Sequence, residues 1–174
     1  MSEAATFDLK LRIPAFAQGQ PLPSKLYRYL DEHVDAASLA VDGKEIPIEI
    51  NAGYAAISRR WTGRTRVEFQ LPLPIQRVVA NDAVADLQGK VALERGPLVY
   101  ALESADNDAP VLDLALPDSS QLRAEYQPGL LGGLTTIRGH ALEKDGDAVE
   151  FTAIPYYAWG HRGDGPMTVW LNSE

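Results

Sequence analysis

Residues 90–103 read KVALERGPLVYALE: an apolar run, a charged pair with Gly96-Pro97, and a second apolar run. The flanks, Lys90–Arg95 and Leu98–Glu103, are rich in Val, Leu, Ala and Tyr and have strand length. Gly96 permits a kink or bulge, and Pro97 removes one ladder donor. Glu94 and Arg95 sit at that break. They are a charge pair at a bend rather than catalytic groups. The stretch is therefore expected to be a joint at which the chain enters a second β domain with a changed direction or register.

The same grammar extends in both directions. Phe7–Ile13 alternates apolar and charged residues, as a half-buried strand does. Asp42-Gly43 lies between two apolar runs and predicts a type I′ hairpin turn. Tyr54–Trp61, Arg66–Leu71 and Ile75–Ala80 read as strands, with Leu71-Pro72-Leu73-Pro74 between the last two. Further strands are predicted over Val111–Leu116, Leu122–Gln127, Leu134–Glu143, Val149–Trp159 and Met167–Leu171. About a dozen short strands with regular turns predict an all-β chain of two small sandwiches. One segment breaks the pattern. In residues 24–34, SKLYRYLDEHV, apolar residues fall at Leu26, Tyr29, Leu30 and Val34, a helical stripe with Ser24 as N-cap. It predicts one short surface helix.

Composition sets the outer limits. A net charge of −8 argues against a nucleic-acid surface or an anionic membrane as partner. Residues 1–88 carry 10 Lys/Arg against 11 Asp/Glu, and residues 89–174 carry 6 against 13, so the acidity is concentrated in the second half. The chain has no cysteine, which excludes disulfides, thiolate zinc sites and a cysteine nucleophile within it. No apolar run approaches the roughly 20 residues that span a bilayer, and MSEAATFDLK shows no signal peptide.

Chemistry is sparse. No nucleophile elbow, phosphate loop, dinucleotide fingerprint or zinc-protease motif is present. His33, His140 and His161 lie at no metal-ligand spacing, and Asp145-Gly146-Asp147 reads as a hairpin turn rather than a calcium loop. No catalytic residue, metal site or cofactor site is assigned. The segment 104–110, SADNDAP, reads as a surface loop. The richest cluster is residues 154–163, IPYYAWGHRG. Its Tyr156, Tyr157, Trp159 and Arg162 are the candidate carbohydrate-binding residues, since aromatic faces stack on sugar rings and Arg donors suit hydroxyls. The competing reading packs those rings into a core or a domain interface.

LKLRIPAFA at 9–17, VDGKEI at 41–46, GYAAISRRW at 53–61, KVALERGPLVYALE at 90–103 and FTAIPYYAWGHRGDGPMTVWL at 151–171 together resemble the C-terminal region of glycoside hydrolase family 127. The type activity of that family is a bacterial β-L-arabinofuranosidase. The resemblance implies an N-terminal (α/α)6 barrel followed by two β-sandwiches. It also implies chemistry in the barrel, through a zinc-bound cysteine thiolate and a glutamate acid/base, on terminal β-L-arabinofuranosides of plant glycans. Without a cysteine, this chain inherits the architecture and not the activity. The layout implied is a discontinuous first sandwich of residues 1–88 plus 165–174 and an inserted second sandwich, 89–164. The function expected is an accessory, non-catalytic region. Its partners would be a helical catalytic barrel in cis, a second copy of itself, or a plant-glycan carbohydrate held by the Tyr156–Trp159 cluster.

Overall fold

A computed structural model describes residues 4–31 and 36–174. The described residues form strands β1 (Ala5–Arg12), β2 (Tyr27–Tyr29), β3 (Ser38–Val41), β4 (Lys44–Glu45), β5 (Ile50–Asn51), β6 (Tyr54–Trp61), β7 (Val67–Gln70) and β8 (Ile75–Ala80). They continue with β9 (Lys90–Arg95), β10 (Leu98–Glu103), β11 (Ala115–Leu116), β12 (Arg123–Gln127), β13 (Leu134–Leu142), β14 (Ala148–Pro155), β15 (Met167–Thr168) and β16 (Trp170–Ser173). Among the described residues, helical structure is confined to 3-10 turns at Ala15–Gln18, Ala85–Leu87 and Tyr156–Ala158. The chain is all-β, as its alternation predicts.

It divides into two units. The first holds residues 4–20 and 36–74, the second residues 21–31 and 75–174. In the first, two three-stranded sheets, β1-β6-β5 and β4-β3-β7, share one core. Leu39, Val41 and Ile57 are buried there, with Leu9, Leu11, Val67 and Phe69 packed against them. The register Leu9↔Ile57 and Leu11↔Ala55 puts the odd residues of both strands on the inner face. Asp42 and Gly43 both have positive φ, 51° and 78°, the type I′ geometry that joins β3 to β4.

The second unit is a sheet that closes on itself. From β9 the pairings run to β10, β14, β13, β11 and β16, and β16 returns to β9. Val91, Leu93, Tyr100, Leu102, Ile137, Phe151 and Leu171 fill the interior, each no more than 2% exposed. A fully buried residue of this size contributes about 1.5–3 kcal/mol. The expected second sandwich is thus a small barrel-like closed sheet, to which β8 and β2 add strands beyond β9.

KVALERGPLVYALE begins that circuit. Gly96, at φ 59°, and Pro97 are the two central residues of a hairpin, with Leu98 opposite Arg95 and Val99 opposite Glu94. Positive φ at the first central residue is what a type II′ turn requires. The two strands pair only beside the turn. Beyond it they part, and residues 167–173 enter between them: Met167 and Thr168 pair with β10, and Trp170–Asn172 pair with β9.

Four expectations are corrected. The stretch is a hairpin within the second unit, not a doorway between units. The boundary near residue 88 moves to the Leu71-Pro72-Leu73-Pro74 run, because Ile75–Val78 pairs with Ala92–Arg95 and ties both sides of Gln88 into one sheet. Residues 165–174 do not return to the first sandwich, since β15 and β16 complete the closed sheet. The helix predicted over 24–34 is not formed in its described part, residues 24–31. There Tyr27, Arg28 and Tyr29 pair with Ala80, Val79 and Val78. Tyr29 is buried, Tyr27 stacks on Trp170 at 5.9 Å, and Leu26, on the supposed stripe, is 50% exposed. Pairing with β8 outweighs a four-residue periodicity. His33 and Val34 lie outside the described residues.

Candidate functional site

The candidate carbohydrate-binding residues follow β14. The strand ends at Pro155, and the chain makes a 3-10 turn over Tyr156–Ala158, where the Trp159 N–H donates to the Tyr156 carbonyl. Ala158 is buried with Leu134 and Ile154, which seats the turn against the sheet. The aromatic residues around it are 48% (Tyr156), 63% (Tyr157) and 43% (Trp159) exposed, so they are surface groups and not core. Tyr156 and Trp159 stack, with centroids 5.9 Å apart and planes 20° from parallel. The pair forms one continuous apolar surface with two polar tips.

Arg162 has a different role from the one its sequence neighbourhood suggests. Its guanidinium donates to Glu103 Oε2 at 2.5 Å and to both carboxylate oxygens of Asp106. The Glu103 and Asp106 side chains are 7% and 10% exposed, that of Arg162 23%. Hydrogen bonding to Asp106, then to Glu103, holds the guanidinium well above its ordinary range against the opposing effect of burial. The Glu103 Oε1 accepts from the Gly160 N–H at 2.8 Å, and His161 Nδ1 lies 3.1 Å from the Ala158 carbonyl. Two buried carboxylates therefore lock the loop that carries the aromatic pair. With three hydrogen bonds to these carboxylates, Arg162 anchors the loop that carries the aromatic pair.

Sequence reasoning did not single out Glu103 and Asp106. Glu103 closes an apolar strand and is 5% exposed, a position where a carboxylate needs a cation. Asp106 lies in 104–110, read as a surface loop. That loop is tied down as well. Asn107 Nδ2 donates to the Glu103 and Thr152 carbonyls at 2.7 and 2.9 Å, and its Oδ1 accepts from the Thr152 N–H at 2.8 Å. The signal available was LVYALE itself, five residues of strand pattern ending on an acid.

The residues of the opening stretch form a second polar site. Tyr29 Oη donates to Glu94 Oε2 at 3.2 Å. Burial raises the Glu94 carboxyl above its ordinary value, opposed by that hydrogen bond. Burial also raises the Tyr29 phenol, with the Glu94 charge acting in the same direction. Glu94 is paired with a tyrosine from β2 rather than with its neighbour Arg95. Asp145-Gly146-Asp147 is a hairpin turn between β13 and β14, closed by Glu143 and Asp147 backbone bonding at 2.9 Å.

Comparison with known proteins agrees with this division. Residues 75–172 match the model of the glycoside hydrolase family 127 C-terminal domain, and residues 1–73 match that of the "Beta-L-arabinofuranosidase, GH127 middle domain". The two meet at residue 74, where the first unit ends, although residues 21–31 of the middle-domain match belong to the second unit. A non-reducing end β-L-arabinofuranosidase of Bifidobacterium longum subsp. longum is 27% identical over 91% of this chain. A solved GH127 β-arabinofuranosidase superposes with a TM-score of 0.90 at 38% identity over 99% of the chain. The GH127 β-L-arabinofuranosidase of Geobacillus stearothermophilus T6 gives 0.84 at 34% over 98%. The chain spans 25% of the Bifidobacterium protein and 28% and 27% of the two solved chains. The chain belongs to glycoside hydrolase family 127, of which it carries the middle and C-terminal domains.

Proposed function

We propose that this chain is the non-catalytic accessory region of a β-L-arabinofuranosidase-like glycoside hydrolase, and that it stabilises a helical catalytic barrel in cis or joins copies of the enzyme. One observation carries the reading: nearly the whole chain matches relatives of which it makes up only 25–28%. The sequence supports it, because the cysteine nucleophile implied by the family resemblance has no counterpart here. The test is an assay of the chain alone on a nitrophenyl arabinofuranoside, with light scattering to measure its size. No turnover is expected. Reproducible turnover abolished by a glutamate substitution would overturn the reading, and a size above one chain would favour self-association as the accessory role.

A second reading makes the region a carbohydrate-binding module. It is favoured by the exposure of Tyr156, Tyr157 and Trp159 on a loop held rigid from beneath. Titration with arabinan oligosaccharides while following tryptophan fluorescence tests it, with Trp159→Ala expected to lose the response.

A further inference from the structure

The outer face of the β1-β6-β5 sheet in the first unit carries a groove of about 750 Å³, lined by Lys10, Glu49, Asn51, Ala52, Tyr54 and Ala56. That lies within the size range of small-ligand sites. Strand register explains its shape. Lys10 faces Ala56, Arg12 faces Tyr54, and Asn51 faces Tyr54 across the sheet. All five therefore lie on the face opposite Leu9, Leu11, Ala55 and Ile57, which belong to the interior. Ala56 has the smallest side chain of the row and leaves a hollow between longer neighbours.

The lining combines an aromatic ring with both signs of charge. Tyr54 is 40% exposed, and the Arg12 guanidinium sits over its ring, 5.3 Å from the centroid. Arg12 also packs against Gly53, where an added Cβ would meet Nη1 at 3.3 Å. Cation contact on one side fixes the ring, and its exposed part borders the groove. Lys10 supplies an ammonium donor, Glu49 a carboxylate acceptor and Asn51 an amide able to do both. Opposite charges in one small groove suit a neutral polyhydroxyl ligand better than an anion or a cation.

The turn adds an independent observation. Ala52 and Gly53 join β5 to β6 with φ of 49° and 79°, a type I′ turn. Its first central position favours Asn, Asp or Gly. An alanine in the left-handed region is strained, and such strain concentrates at ligand sites. Here its methyl is part of the groove wall.

We infer that this groove is a binding site for a short neutral oligosaccharide, stacked on Tyr54 and hydrogen-bonded by Lys10, Glu49 and Asn51. It is separate from the Tyr156–Trp159 surface. The choice of an arabinose-containing probe rests on the family reading above, so a second sugar is included. Saturation-transfer NMR is recorded on the full chain with arabinan oligosaccharides and, separately, with cello-oligosaccharides. Expected, in a chain that already carries Trp159→Ala to silence the other aromatic surface, is transfer from at least one of them, weakened roughly tenfold or more by adding Tyr54→Ala and retained on adding Tyr54→Phe. If Tyr54→Ala does not fold, Lys10→Ala and Asn51→Ala, both at exposed positions, replace it with the same expectation. Binding of the cello-oligosaccharide alone would uphold the site while telling against the family-based ligand. Absence of transfer from both sugars in the Trp159→Ala chain, or transfer there that survives the added Tyr54→Ala, overturns the inference.

Discussion

Glu103 holds Arg162 from one carboxylate oxygen at 2.5 Å and the Gly160 N–H from the other at 2.8 Å. A single buried side chain thereby fixes both the backbone and the cation of the loop that follows the aromatic turn. Removing the cation leaves two acids, 7% and 10% exposed at their side chains, without a counter-charge. Arg162→Met is expected to cost about 3 kcal/mol in unfolding free energy. Glu103→Gln keeps an acceptor for Gly160 and is expected to cost less. Urea unfolding of the two variants checks the order, and equal midpoints for Arg162→Met and the parent would refute it.

The Tyr29–Glu94 pair predicts how stability varies with pH. The folded Glu94 carboxyl is raised above its ordinary 4.5. Between that value and the folded one, the native state holds more protons than the unfolded state, so stability falls as pH rises. Glu94→Gln is expected to flatten this slope, measured as urea midpoints from about pH 4 to pH 8. Tyr29→Phe removes the hydrogen bond that opposes the shift, and is expected to steepen it. Tyr29 acts with the same sign above its ordinary value of 10.0, where the folded phenol resists ionisation.

Gly96→Ala places a Cβ at φ 59° in the first central position of the β9–β10 turn. A loss of about 1–2 kcal/mol is expected. Pro97→Ala leaves the turn geometry accessible and mainly loosens the unfolded chain, for a loss of about 0.4–1 kcal/mol. Thermal unfolding of both variants should show that order.

Ala52→Asn is expected to gain about 1 kcal/mol by relieving the left-handed alanine at φ 49°. A midpoint below the parent's would show that the methyl packs more favourably than its exposed position suggests.

Gly139 faces Phe151 across β13 and β14, and a Cβ there would lie 2.7 Å from Leu122 Cδ2 and 3.1 Å from the Phe151 ring. Gly139→Ala overpacks this contact. A cost of about 1–3 kcal/mol is expected in the same unfolding experiment.

Local signals carried the reading wherever the backbone decides by itself. Asp42-Gly43 announced its turn, Lys90–Arg95 and Leu98–Glu103 were legible to the residue, and five motifs together identified the family. What escaped was decided at long range. SKLYRYL reads as a helix until β8 offers its edge to Tyr27–Tyr29. Val111–Leu116 reads as a strand, yet Asp113 closes a turn on Pro110, and only Ala115–Leu116 pairs. The rings at Tyr156 and Trp159 were legible as a cluster, but the carboxylates that hold Arg162 come from 59 and 56 residues earlier. No local spacing encodes that distance. The unit boundary was misplaced for a related reason: the shift in acidity near Gln88 reports surface composition, whereas Leu71-Pro72-Leu73-Pro74 marks where pairing stops.

The wedge made by residues 167–173 between β9 and β10 has a bearing on how the molecule is made. During synthesis the hairpin around Gly96-Pro97 is complete at Glu103, well before the segment it must admit begins at Met167. Until then Val91, Leu93 and Leu102 border an open seam, and the parallel edge of β11 has no neighbour in β16. Closure of the sheet is therefore a late, non-local step, of the kind that folds slowly and exposes strand edges to other chains. A nascent chain paused before Met167 would be a sheet with its keystone missing.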